Sequence, residues 1–279
     1  MAHFELPEIE TLRRDLERDI VGKKVKSVDL KSLKSIEGHR TKKSFTSGLE
    51  GAKVLDVVRV GLTIVITLDN EHALLLDLAD GCRLERVASK TETDSDTEIT
   101  ITFTQTGDLR IVDSTGETVV RLVSLDDLDE ALGDPAERGL DLLSEPIPWI
   151  EFGRFVLQRT EPLKVLLTDP SVFMGIGPIY SDEILFDAGL RYDRPANELT
   201  TQELRRLQRS IVSILHDAIK YGGTSIESRP FHSLAGEEGN FGEHLAVYGR
   251  AGELSPRSRT PIEKATFKKR TVYYCTTQV

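Results

Sequence analysis

Cysteine is scarce: Cys82 and Cys275 are the two in 279 residues. Lying far apart, they cannot form a disulfide framework, and they cannot supply a thiolate-rich zinc site. No apolar run approaches the ~20 residues that a membrane span needs, and the first residues lack the basic-then-apolar plan of a secretory signal. The expected address is cytoplasmic, with no membrane partner. Positive charge is in deficit too, since 36 basic residues against 46 acidic ones leave a net charge of −10. That balance opposes indiscriminate attachment to a phosphate backbone, so any nucleic-acid role must come from a local basic patch. What is present is a globular composition, 39% hydrophobic. It suffices for one large domain or two ordinary ones and argues against a disordered or fibrous chain.

Charge is unevenly spread. Between Leu125 and Glu145 stand eight acids and one base, Arg138, whereas Ala246 to Val279 holds seven bases and two acids. Gly133, Pro135 and Gly139 interrupt the acidic stretch, which reads as a linker with at most short helices. An opening helix is well marked, with Pro7 at a first-turn position, Ile9, Leu12, Leu16 and Ile20 at helical spacing and Gly22 as the stop. From Lys24 to Val123 the pattern turns short and period-two or fully apolar. Val54–Arg59, Thr63–Leu68, Ala73–Leu78, Glu98–Phe103, Leu109–Val112 and Val119–Val123 read as strands of an antiparallel sandwich. Beyond the linker the chain turns helical, over Trp149–Leu157 and Pro162–Leu167. A further helix opens at Thr200, where Glu203 completes a capping box. Ala246–Tyr248 and Val272–Tyr274 read as strands of a terminal hairpin region.

Three segments carry a family likeness. The start, FELPEIETLRRDLE, resembles the PELPEVE opening of the formamidopyrimidine-DNA glycosylase / endonuclease VIII family. KVLLTDPSVFMGIGPIYSDEILFDAGL resembles that family's helix–two-turn–helix, and LAVYGRAGELSPRSRTPIEKATFKKRTVYYC resembles its zinc-finger module. All three occur in the family's order. The likeness implies an α+β fold: an N-terminal helix plus antiparallel β-sandwich at 1–124, the acidic linker at 125–145, a helix–two-turn–helix domain at 146–242 and a zincless finger-like β-hairpin at 243–279. It also implies DNA held between the domains. A fold does not settle an activity.

In that family the secondary amine of an N-terminal proline attacks the sugar carbon, and the adjacent glutamate assists ring opening and proton transfer. Here Phe4 stands in the proline's place, inside the polypeptide, where a peptide nitrogen is no nucleophile. Glu5 matches the catalytic glutamate and Glu8 the second acid of the motif; both are expected to be vestigial. Removal of Met1 would expose the primary amine of Ala2, two residues upstream, and displacements of that size are costly. The base-extruding groups are altered as well. Leu62 replaces a phosphate lysine, Asp80 replaces the wedge methionine, and Val112 to Glu117 is too short to carry the arginine and phenylalanine wedge. Asp80 would face stacked bases and repel nearby phosphates. Cys82 matches a family glycine and reads as structural.

The helix–two-turn–helix keeps more. Lys164 matches a phosphate-contacting lysine, and Gly175 and Gly177 keep the tight turn whose backbone can approach a phosphate, although Pro178 replaces a phosphate-binding asparagine. At the finger, the family's four zinc cysteines map to Ser255, Ser258, Cys275 and Gln278, so no zinc or other cofactor is expected. Arg270 matches the arginine that grips phosphate. The loop Gly222–Gly242, with Arg229, Phe231 and His232, aligns with a flexible loop over the extruded base but defines no pocket, and His232 and His244 read as surface or packing residues. Three readings follow. The chain is a non-catalytic paralogue with weakened DNA binding, a divergent glycosylase or lyase for an unusual lesion, or a protein-interaction module that has left nucleic acids.

Overall fold

A computed structural model describes residues 4–89, 91–105, 107–135, 138–144 and 146–279. Two compact units emerge, one built from Met1–Pro135 with Tyr221–Asn240, the other from Ala136–Lys220 with Phe241–Val279. Tyr221–Asn240, expected in the helix–two-turn–helix domain, thus belongs to the first unit. The reason is burial, since Phe231 and Leu234 from this loop enter that unit's main core.

The first unit opens with helix α1 (Leu6–Ile20). Its stripe of Ile9, Leu12, Leu16 and Ile20 is buried, each side chain contributing about 2 kcal/mol of transfer free energy. On its other face Glu10 receives Arg14 at 2.7 Å and Arg59 at 3.1 Å. Burial pushes the Glu10 carboxyl up, but bonds from Arg13, Arg14 and Arg59 outweigh it and hold it below its ordinary range. Among the described residues nine strands follow: β1 (Val25–Leu30), β2 (Ile36–Glu37), β3 (Val54–Val60), β4 (Thr63–Leu68), β5 (His72–Asp77), β6 (Arg83–Val87), β7 (Thr97–Phe103), β8 (Asp108–Val112) and β9 (Val119–Ser124). They form a four-stranded sheet in the order β1-β7-β8-β6 and a five-stranded sheet in the order β2-β9-β5-β4-β3. Pairing is antiparallel apart from the short parallel match of β2 with β9.

Inward residues of both sheets share one core with α1. Helix α2 (Lys42–Leu49) buries Phe45 and Leu49 into it. The acidic stretch is not purely a connector. Its helix α3 (Leu128–Leu132) lays Leu128, Ala131 and Leu132 over Val65, Ala73 and Leu75, on the other side of the five-stranded sheet. That is why β4 and β5 read as nearly continuous apolar runs rather than alternating ones.

The second unit packs α4 (Trp149–Leu157), α5 (Leu163–Leu167), α6 (Pro178–Ala188) and α7 (Thr201–Lys220) with a terminal hairpin of β10 (Ile262–Phe267) and β11 (Arg270–Cys275). Nearly every side chain of α6 is buried, including Asp182 and Glu183, so each carboxylate needs partners. Asp182 accepts the Tyr273 backbone N–H of β11 at 2.9 Å. Glu183 accepts the N–H groups of Ala246, Val247 and Tyr248 at 2.8–2.9 Å. Ala246–Tyr248 is therefore not the strand its apolar pattern suggested, because a side chain has claimed the hydrogens a ladder would use. The true partner of β11 is β10, in register from Ile262 opposite Cys275 to Phe267 opposite Arg270. Among the described residues no helix is long and apolar enough to cross a membrane.

Candidate functional site

Phe4 is buried, and its ring meets that of Phe231 edge-on, 5.3 Å between centroids. Next to it Glu5 is only 3% exposed. Such a carboxylate requires a cation, and the loop supplies one: Arg229 Nη1 lies 3.1 Å from Glu5 Oε1, while its Nε donates to Asp80 Oδ2 at 2.7 Å. Burial pulls the Arg229 guanidinium down, but Glu5 and Asp80 outweigh it and hold its pKa above the ordinary value. One guanidinium thus bridges Glu5 and Asp80. Asp80 is consequently not the bare, phosphate-repelling carboxylate expected from its place in the turn. Its charge is spent on Arg229.

Other bonds hold the loop down. Glu8 Oε1 accepts the Thr224 N–H at 2.8 Å, and Asp15 Oδ2 accepts that of Leu234 at 3.2 Å. Gly223 has φ +87°, and a Cβ there would fall 2.7 Å from the Phe231 ring, so only glycine lets the ring reach Phe4. Glu5 and Glu8 both bond the loop, through Arg229 and the Thr224 N–H, and the loop that defined no pocket sets its own Phe231 against Phe4. Arg229 and Phe231 are what sequence reasoning missed. The available signal was indirect: a glutamate beside Phe4 inside an apolar core demands a positive partner from elsewhere in the chain. The Ala2 amine lies outside the described residues.

Around Leu62 and the turn from Val112 to Glu117 the geometry is closed. Leu62 is half-buried against the main core. Asp113 folds the short turn onto itself, accepting the N–H groups of Thr115, Gly116 and Thr118 at 2.8–3.0 Å. Burial pushes its carboxyl up, but these bonds and the Thr115 hydroxyl hold it below its ordinary range. Cys82 is buried, and burial pushes its thiol up to about 12, which leaves it inert at neutral pH. His232 sits 3.7 Å from Glu238 in the loop, and His244 lies near the Phe241 ring.

Lys164 corrects the expectation of a phosphate contact. It is wholly buried, and its Nζ donates to Asp182 Oδ1 at 2.6 Å, Ser181 Oγ at 2.7 Å and the Pro178 carbonyl at 3.1 Å. All three ammonium hydrogens are used inside the protein, so this lysine ties α5 to α6 and reaches no external anion. Burial pushes the Asp182 carboxyl up to about 6, against the pull of Lys164. Gly175, at φ +66°, keeps the left-handed turn, and Gly177 caps α6 with Pro178 in its first turn. The turn survives as a structural joint.

At the terminal hairpin, Ser258 Oγ lies 3.0 Å and Thr260 Oγ1 3.3 Å from Cys275 Sγ. Gln278 Oε1 accepts the Cys275 N–H at 2.7 Å, and its amide donates to the Leu190 carbonyl at 2.7 Å. Two hydroxyls, one thiol and one amide do not fit a tetrahedral zinc site; here they close the base of the hairpin by hydrogen bonds. Burial raises the Cys275 thiol, but bonds from Ser258, Thr260 and Thr277 outweigh it and bring it to about 6. At the far end, Lys268 and Lys269 make a two-residue turn with φ 45° and 64°. Asparagine and glycine usually fill such positions; two exposed lysines there, beside half-exposed Arg270, concentrate charge at the tip.

A helix-led β-sandwich, a helix pair joined by a glycine turn and a two-stranded terminal hairpin are together the architecture of one class of DNA glycosylase. The chain belongs to the formamidopyrimidine-DNA glycosylase family. That family's N-terminal domain matches residues 4–118 and its H2TH domain residues 139–229. Formamidopyrimidine-DNA glycosylases of Latilactobacillus sakei and Geobacillus kaustophilus are both 32% identical to it; each comparison covers 97% of this chain, and 96% and 97% of those relatives. Among solved structures, Lactococcus lactis Fpg in complex with abasic-site DNA superposes with a TM-score of 0.86 at 26% identity, covering 97% of both chains. The MutM (Fpg) protein from Thermus thermophilus gives 0.82 at 29% identity, again covering 97% of both.

Proposed function

We propose that this chain is a non-catalytic member of the family that binds duplex DNA weakly, through its hairpin and the start of α6, and excises nothing. The observation that carries this reading is the Arg229 bridge between Glu5 and Asp80, seated beside the Phe4–Phe231 ring pair. An imine-forming lyase needs an amine at the attacking position and a neighbouring group free to move protons. At position 4 there is an amide nitrogen, and the Glu5 carboxylate is engaged by a guanidinium that stays protonated. DNA binding is drawn from the relatives, one of which is solved with abasic-site DNA. In this chain the anion-reading groups are Lys268, Lys269 and Arg270, with Gly175 and Gly177 shaping the turn before α6. Lys164 acts indirectly, as the brace of that turn.

Borohydride trapping on an abasic duplex and an 8-oxoguanine duplex tests the reading, with a catalytic relative run beside it. The expected result is a gel shift at low ionic strength, no covalent adduct and no strand cleavage. A trapped adduct or a cleaved strand at the relative's rate overturns it.

A further inference from the structure

Along the outward face of α7, Arg205, Arg209, Val212, Ser213 and His216 recur at helical spacing and form one wall of a groove. The other wall is the segment leading into α4, where Leu142, Leu143, Pro146, Ile147 and Trp149 supply an apolar floor; the groove encloses about 480 Å³. It is preformed, because Gln208 Nε2 donates to the Ile147 carbonyl at 2.6 Å and fixes the separation of the walls. Arg205 Cζ lies over the Trp149 ring, 3.9 Å from its centroid.

Most arginines of this acidic protein are neutralised, as Arg13, Arg59, Arg121, Arg194 and Arg229 are. Arg205 and Arg209 are exposed, and neither meets a carboxylate among the described residues. Two unspent guanidinium groups over an aliphatic floor form a rim-and-floor surface complementary to an acidic segment with bulky apolar side chains. We infer that this groove docks a short acidic peptide of a partner protein, its carboxylates on Arg205 and Arg209 and its leucine or phenylalanine side chains on the floor. A nucleic-acid strand suits it less. Apart from Trp149 the floor is aliphatic, and one face of that ring, on which a base would stack, is already covered by Arg205. The inference stands on the second unit alone and does not depend on the loss of catalysis.

The test uses the full chain and a fluorescein-labelled peptide of about twelve residues, in which Asp and Glu flank two leucines and a phenylalanine. Anisotropy should give saturable binding that R205E together with R209E weakens roughly tenfold or more, as does replacing the peptide's apolar residues by serine. Both substitutions lie on exposed side chains, so circular dichroism should not move, and the melting curve should shift only by the small loss of the Arg205–Trp149 contact. Absence of binding, or equal binding by the double variant, overturns the proposal. So does full competition by a single-stranded oligonucleotide, which would make the groove a nucleic-acid site. Self-association that the double variant abolishes, with no peptide binding, overturns it in favour of a second copy of this chain.

Discussion

At the level of single residues, the decisive pair is Phe4 and Glu5, an aromatic ring followed by a carboxylate that are both buried, with the electrostatic adjustment that follows. A buried glutamate beside an amine has a built-in cation; Glu5 beside Phe4 has none from its own segment. Arg229 restores the balance from 224 residues away and takes up Asp80 as well. Removing one partner from such a set leaves an uncompensated charge indoors, so Arg229→Met should cost about 3 kcal/mol, read as a lower urea midpoint. Adding Glu5→Gln and Asp80→Asn to that variant should recover most of the loss. Arg229→Lys should not, because an ammonium lacks the planar fork that spans two carboxylates. A midpoint unmoved by Arg229→Met would show the bridge to be incidental.

Elements owe their boundaries to smaller devices, of which the start of α7 is the clearest. Glu203 Oε2 accepts the Thr200 N–H at 2.8 Å and the Thr200 hydroxyl at 2.7 Å, and Arg194 Nη1 lies 2.6 Å from Oε1. Burial pushes the Glu203 carboxyl up, but these bonds outweigh it and bring it to about 2, from an ordinary 4.5. A depressed carboxylate stabilises the fold above its unfolded pKa and ceases to do so as pH falls through the folded value. Thr200→Ala should therefore cost about 1 kcal/mol at neutral pH. The gap between its urea midpoint and that of the unsubstituted chain should narrow as pH falls from 4.5 towards 2. A gap independent of pH would mean that Glu203 takes no part in the cap.

This capping box was legible because its signal is local, and so were the strands β3, β4, β5 and β7 to β9, which keep enough Val, Ile and Leu to be read even where β3 and β7 shift register. β1 was not, since Lys26, Ser27 and Asp29 leave it only Val25, Val28 and Leu30 as apolar residues, with a register shift between Val25 and Ser27 as well. β6 hides under Arg83, Glu85 and Arg86, and α2 offers only Phe45 and Leu49 as buried apolar residues. The same division runs through the site. Glu5, Glu8 and the glycine turn lie inside motifs. The Arg229 bridge and the burial of Lys164 depend on partners that no local pattern names, although SDE inside the apolar helix α6 was itself a sign that a cation must be buried nearby.

Taken whole, the molecule sets a net charge of −10 against a hairpin tip carrying Lys268, Lys269 and Arg270 in succession. Bulk repulsion and local attraction respond to salt in opposite senses, and the balance can be measured. Each phosphate neutralised releases condensed counterions, so three contacts should give a slope of about −3 in log K against log salt. The acidic body adds a repulsion that salt screens over roughly 10 Å at 0.1 M, which flattens the measured slope without reversing it. Lys268 and Lys269 already sit at positive φ with a Cβ, so alanines there and at Arg270 should remove the charge without opening the ladder from Ile262 to Cys275. The triple variant should melt with the unsubstituted chain, lose most of its duplex affinity at low salt and show a slope near zero. A slope that survives these substitutions would put the DNA contact elsewhere on the chain and leave the hairpin with a structural role alone.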